Sequence, residues 1–162
     1  MQVNEYIFRA NDIRGVAFTD LNEEVVSGLG KALGSEALKR GKEDFIIGRD
    51  GRLSSPMIFD WICSGVLSTG CNVIDIGIVT SPMFYHSTYV LESASGVVIT
   101  GSHNPGEYNG FKIVFDNQST SSEEILMLKR KILERDFIIG KGVLIKKQIK
   151  EEFDGVVSML KF

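Results

Sequence analysis

Gly96-Val97-Val98-Ile99-Thr100 and Phe111-Lys112-Ile113-Val114-Phe115 are two β-branched and aromatic runs, and between them lies the polar stretch Gly101-Ser102-His103-Asn104-Pro105-Gly106-Glu107-Tyr108-Asn109-Gly110. Short apolar runs bounded by Gly, Pro and Asn read as buried strands joined by a loop. The loop has ten residues and no helical periodicity. A parallel crossover needs a dozen or more residues, so the two strands are predicted to run antiparallel.

Upstream, the pattern alternates in the manner of a layered α/β domain. Asp20 with Glu23 has the spacing of a capping box, and Val25, Leu29, Ala32, Leu33 and Ala37 recur at helical spacing up to Gly41. Phe45-Ile46-Ile47 reads as a short buried strand. Ser55-Pro56 then opens a helix, with Ser55 as cap and Pro at the first position, and that helix runs toward Gly70. Val73–Val79 is the next strand, Ser81-Pro82 opens a short helix, and Gly96–Thr100 returns to the sheet. The expected fold is a three-layer α/β/α domain. Its sheet is predicted to be mixed, mostly parallel and four-stranded, with the last strand, Phe111–Phe115, antiparallel.

Beyond that strand, Ser121 and Glu124 form a second capping-box pattern, and Ile125, Leu128 and Ile132 mark the buried face of the helix it opens. Gly140–Gly142 reads as a loose connection and Val143–Ile149 as extended. A last helix is predicted from Glu151, with an apolar stripe of Phe153, Val156, Val157 and Leu160 and no stop signal. The expected division is therefore a domain over residues 1–150, followed by residues 151–162 as the start of a helix leading toward a second domain.

The chain has 162 residues, 43% of them hydrophobic, and a formal charge of −3. That is enough for one core, and the mild acidity without a basic block argues against nucleic acid as the main partner. Neither a signal-peptide core nor a membrane-length apolar run is present in the sequence, so a cytoplasmic protein is expected. Cys63 and Cys71 form no C-x-x-C pair and stand among apolar neighbours, which predicts reduced, partly buried thiols.

The loop concentrates useful chemistry. Ser102 offers a hydroxyl nucleophile, His103 a proton carrier, Asn104 both a donor and an acceptor, and Lys112 a cation where the next strand begins. Ser, Asn, Pro and Gly also build ordinary turns, and that reading stays open on local chemistry alone. A serine-hydrolase elbow needs Gly two residues either side of the serine; Thr100 and Asn104 occupy those places. Gly28 through Gly34 lies inside a helical pattern and is no dinucleotide fingerprint. Gly48-Arg49-Asp50-Gly51-Arg52 follows a strand and precedes a helix. It suits either an anion ligand or a turn in which Asp50 pairs with one of the arginines. Arg14 beside Gly15 suits either a phosphate or a surface salt bridge. His86, within the Pro82 helix, reads as structural.

Five stretches in order carry a resemblance: Phe8-Arg9-Ala10-Asn11-Asp12-Ile13-Arg14-Gly15, Gly48–Arg52, Thr80-Ser81-Pro82, Thr100–Pro105 and Tyr108–Val114. Together they resemble the first domain of the α-D-phosphohexomutases, most closely the bacterial phosphomannomutase/phosphoglucomutase branch, over essentially the whole chain. The resemblance implies that Ser102 carries a phosphoryl group and that Arg14, His103 and Lys112 are its catalytic neighbours. Substrate contacts are expected from Asn11, where the family usually has Tyr, and from Asn104, which also suits holding the loop's geometry. The implied activity interconverts hexose 6-phosphate and hexose 1-phosphate through a hexose 1,6-bisphosphate, with Mg2+ bound in part by an oxygen of Ser102 or its phosphate. The other Mg2+ ligands and the sugar-binding loops are then expected from domains two to four of the same polypeptide, and the isolated chain is expected to be inactive. A phosphoglucosamine mutase domain and a stand-alone phosphosugar-binding module are the alternatives.

Overall fold

The computed structural model describes residues 2–149. The predicted helix from Glu151, with Phe153, Val156, Val157 and Leu160, lies outside the described residues. After a 3-10 turn at Glu5–Ile7, the order is β1 (Ile13–Val16), α1 (Glu23–Lys39), β2 (Asp44–Arg49), α2 (Ser55–Leu67), β3 (Asn72–Ile78) and α3 (Ser81–Val90). Then come β4 (Gly96–Ile99), β5 (Tyr108–Phe115), β6 (Gln118–Ser119), α4 (Ser122–Glu134) and β7 (Leu144–Lys146).

The described strands form one sheet in the order β1-β5-β4-β2-β3-β7, with β6 added to β5. β4, β2, β3 and β7 are mutually parallel, whereas β5 pairs antiparallel with β4, β1 and β6. The mixed sheet and the antiparallel strand at Phe111–Phe115 match the expectation. The strand count does not: seven strands replace four. β1 is only four residues long and carries Arg and Gly, so it lacks a strand signature of its own; its partner β5 is nearly a hundred positions away (Ile13 opposite Phe111). The same pairing extends β5 back to Tyr108, because Tyr108, Asn109 and Gly110 lie opposite Val16, Gly15 and Arg14.

Alternation sorts side chains onto two faces. Phe45, Ile47, Val97, Ile99, Phe111, Ile113 and Phe115 point into a core shared with Leu29, Leu33, Ile58, Ile62, Leu128 and Ile132 of α1, α2 and α4. Ile46, Ile74, Ile76, Val98 and Val114 point the other way and pack around Phe84 of α3. The three predicted layers are present. α1 and α2 meet backbone to backbone: a methyl on Gly30 would strike the Ile62 carbonyl and come 3.0 Å from the Gly65 Cα.

Local signals explain the helix ends, with two corrections. α1 is capped by Asn22, whose Oδ1 accepts the Val25 N–H at 3.0 Å, and not by Asp20. Asp20 instead closes the β1–α1 turn, accepting Val16 N–H and Asn4 Nδ2, each at 2.9 Å. Both residues are good caps by type, and the chance Asp-x-x-Glu spacing picks the wrong one. At α2 the N-cap is Ser54, which makes no side-chain capping bond, and Ser55 turns its hydroxyl to Asp50. The Ser121–Glu124 capping box is present as predicted. Arg40 knits this end of the sandwich, bonding Glu36 at 3.0 Å, Asp116 at 3.1 Å and Glu124 at 2.7 Å while lying over the Phe115 ring.

Cys63 and Cys71 are buried and unpaired. Burial pushes their thiols up to about 11 and about 12 respectively, with Asp75 and Asp60 adding to the first and Asp44 to the second.

Candidate functional site

β2 and β4 are parallel neighbours, so the turn after Arg49 and the loop after Ile99 emerge side by side at the carboxyl ends of two strands; the Asp50 N–H bonds the Ile99 carbonyl at 2.8 Å. Open α/β sheets bind their ligands in this position. The adjoining end of β3 adds Thr80 and Ser81, and these with Asp50 and Thr100 line an open cleft of about 440 Å³.

Ser102, two residues beyond Thr100 and outside the residues that line this cleft, adopts the left-handed region, at φ 52°. For a residue with a Cβ that conformation costs about 1–2 kcal/mol, and it persists only where the surroundings enforce it. Here they do. The Ser102 N–H bonds Thr100 Oγ1 at 3.1 Å, the Asn104 N–H bonds the Gly101 carbonyl at 3.0 Å, and Asn104 Nδ2 bonds the same oxygen at 2.9 Å. Arg52 reaches beneath the loop. Its Nη1 donates to the carbonyls of Pro105 and Tyr108, and its Nη2 to those of Ser102 and Asn104 at 3.2 and 2.6 Å.

Asp50 anchors both sides of this contact. Its Oδ2 accepts the Gly101 N–H at 2.9 Å and lies 3.5 Å from Arg52 Nε; its Oδ1 accepts the Arg52 N–H and the Ser55 hydroxyl. Fully buried Asn109 extends the network from β5, donating to the Ser54 and Ser55 hydroxyls at 2.9 and 3.0 Å. The motif Gly48–Arg52 is thus a turn whose arginines are both engaged: Arg49 lies 3.5 Å from Asp75 and over the Phe59 ring, and Arg52 holds the loop. The role of Arg52 was not legible in the sequence, because it depends on β2 and β4 being neighbours.

The Ser102 hydroxyl and the exposed His103 ring make no hydrogen bond with the described residues. Arg14 and Lys112 lie on the same sheet face as Thr100. Arg14 opposes Gly110, the residue whose carbonyl accepts the Thr100 N–H, and Lys112 opposes Val98. Gly110 has no side chain, so Arg14 can lie across β5; a Cβ there would come 3.2 Å from Arg14 Cγ. Asp12 orients that guanidinium, its Oδ2 accepting Nε at 3.0 Å and Nη2 at 2.7 Å. Lys112 has no ion-pair or hydrogen-bond partner among the described residues. Asn11 is exposed just before β1, with Arg14 between it and the serine loop along the strand. His86 lies on α3.

Among the described residues there is no group of three or more His, Cys, Asp or Glu side chains able to hold a metal. Ser102 supplies a single oxygen, which falls short of the octahedral set Mg2+ requires. The described residues therefore do not form a Mg2+ site by themselves.

The site is thus a strand-end loop of an α/β domain that carries a half-buried serine at a left-handed φ, with Arg14 and Lys112, the latter unpaired among the described residues, on the adjoining sheet face. The sequence matches the family model for phosphoglucomutase/phosphomannomutase, alpha/beta/alpha domain I, over residues 5–138. The chain belongs to that family. It is 46% identical over 136 residues to a phosphomannomutase/phosphoglucomutase of Pseudomonas aeruginosa, covering 84% of this chain and 29% of the relative. It is 41% identical over 147 residues to the Pseudomonas putida protein of the same name, covering 91% of this chain and 32% of the relative. The crystal structure of a Burkholderia thailandensis phosphoglucomutase/phosphomannomutase family protein superposes with a TM-score of 0.88 at 32% identity, covering 94% of this chain and 35% of that one. The chain spans about a third of the length of the curated relatives it matches.

Proposed function

We propose that this chain is the phosphoserine-bearing first domain of a phosphomannomutase/phosphoglucomutase, with Ser102 as the phosphoryl acceptor and donor. The observation that carries the reading is the left-handed Ser102, held on an arginine-clamped loop inside a match to the family's first domain. Six other described non-glycine residues also have positive φ, so the strain counts here because it falls on the hydroxyl-bearing residue of the clamped loop.

In the proposed reaction, a hydroxyl of the sugar attacks the phosphorus carried on Ser102. The new sugar O–P bond forms in line as the Ser102 Oγ–P bond breaks, and charge spreads over the transferred oxygens. Lys112 and Arg14 stabilise that charge, His103 takes the proton released by the sugar hydroxyl, and the departing Ser102 Oγ takes up a proton from solvent to become the free hydroxyl. The resulting hexose 1,6-bisphosphate returns its other phosphoryl group to Ser102, so hexose 6-phosphate and hexose 1-phosphate interconvert. Asn104 holds the loop, and Asn11 approaches the substrate from the start of β1. Mg2+, when bound, would neutralise charge on the phosphoryl group through a Ser102 or phosphate oxygen, with its remaining ligands and the sugar-recognition loops supplied elsewhere in the polypeptide. A cytoplasmic location fits such phosphosugar substrates; among the described residues no helix is long and apolar enough to cross a membrane.

Incubation of the full-length protein with hexose 1,6-bisphosphate, followed by fragment mass spectrometry, should place phosphate on Ser102. Phosphate confined to another residue overturns the assignment.

A further inference from the structure

We infer that Arg52 is a positioning residue that sets the geometry of the Ser102 loop, and that its planar fork, rather than its charge alone, is what the loop requires. The inference rests on the assignment of Ser102 as the phosphoryl-carrying residue. One guanidinium gathers four main-chain carbonyls from both limbs of the loop, those of Ser102, Asn104, Pro105 and Tyr108. It is only half-buried, but its Nε lies 3.5 Å from an Asp50 carboxylate that itself receives the Gly101 N–H. The clamp therefore grips the residue before the serine through Asp50, and the serine together with its downstream limb through Arg52.

Drawing these carbonyl dipoles down onto Arg52 has a chemical effect. A carbonyl oxygen facing a phosphoryl group would repel it, and here the Ser102 and Asn104 oxygens are turned to the guanidinium instead. The His103 N–H, between them, has no partner among the described residues. The loop thus keeps a hydroxyl, a main-chain donor and an imidazole that have no partner among the described residues. Gly101 lets the guanidinium approach, since a Cβ at that position would overlap Arg52 Cζ and Nε. A lysine ammonium, with three donors on one atom, cannot span four carbonyls on two limbs.

The test compares full-length wild type with Arg52→Lys, Arg52→Gln and Ser102→Ala. Turnover is measured by coupled assay, Ser102 phosphate by mass spectrometry after incubation with hexose 1,6-bisphosphate, and loop mobility by amide hydrogen exchange. Both Arg52 variants should lower kcat on the order of 10- to 100-fold while leaving KM within a few-fold, because misplacement of a reacting group is felt in the transition state. Exchange over residues 100–109 should accelerate while exchange over β2 and β3 is unchanged. Arg52→Lys with wild-type kcat and loop exchange overturns the inference, as does exchange that rises equally across the sheet. Retained turnover in Ser102→Ala removes the Ser102 assignment alone, and the exchange pattern of the Arg52 variants then still decides whether Arg52 positions the loop.

Discussion

The guanidinium of Arg52 fills the space that a side chain at residue 101 would occupy, so its position requires glycine there. Gly101→Ala should expel Arg52 from the loop while leaving the core intact, since the added methyl meets a flexible side chain and no buried helix. Thermal unfolding should remain within a few degrees of wild type, whereas phosphorylation of Ser102 by hexose 1,6-bisphosphate should fall about tenfold or more. Wild-type labelling with a wild-type melt would show that the loop tolerates loss of the clamp.

Arg14 and Lys112 share a sheet face through the β1–β5 register. In the full-length protein, Arg14→Ala and Lys112→Met should each reduce kcat on the order of 100-fold, the scale of losing one preorganised charge at a transition state. Neither contributes to the two apolar clusters, so urea midpoints should move little. Unchanged kinetics for Arg14→Ala would leave the Asp12 ion pair as its whole role.

Gly30 and Gly65 bring α1 and α2 into backbone contact, so Gly30→Ala should separate the two helices. Overpacking of this kind costs typically about 1–3 kcal/mol, which exceeds the gain in helix propensity. Urea unfolding should show the midpoint falling with the slope preserved.

Burial raises the Glu124 carboxyl, but the Ser121 N–H and the Arg40 guanidinium outweigh it and hold the group below its ordinary 4.5. A carboxylate lowered in the fold contributes stability that is present above its unfolded pKa and lost as pH falls through the folded value. Glu124→Gln keeps a capping side chain and removes the charge. Its deficit relative to wild type should therefore be full near neutral pH and shrink below 4.5, as read from urea midpoints across that range. A constant deficit would mean that the Arg40 pair contributes nothing pH-dependent.

The layers, the antiparallel β5 and the Ser121–Glu124 cap were legible because each rests on a local pattern: apolar alternation, a loop too short for a crossover, a capping box. The features that stayed hidden depend on partners distant in the chain. β1 becomes a strand only by lying against β5, and Arg52 becomes a clamp only because β2 lies beside β4. At the serine loop, turn-forming and reactive residues are the same residues. Composition there could not separate a structural turn from a site, whereas the positive φ of Ser102 and the engaged Arg52 describe how the turn is held. Asp20 and Asn22 compete as caps of equal quality, and the winner was set by Asn4 and Val16, which draw Asp20 into the turn.

The two thiols of this chain, buried and pushed to about 11 and about 12, are poised to react slowly with sulfhydryl reagents. Near pH 7 the thiolate fraction of either is about 10⁻⁴ or less. A cysteine introduced at fully exposed Leu53, the residue next to Arg52, would therefore be the one fast-reacting thiol of this chain. A dye or spin label attached there would meet no competition from Cys63 or Cys71, and it would report on the surroundings of the neighbouring Arg52 clamp.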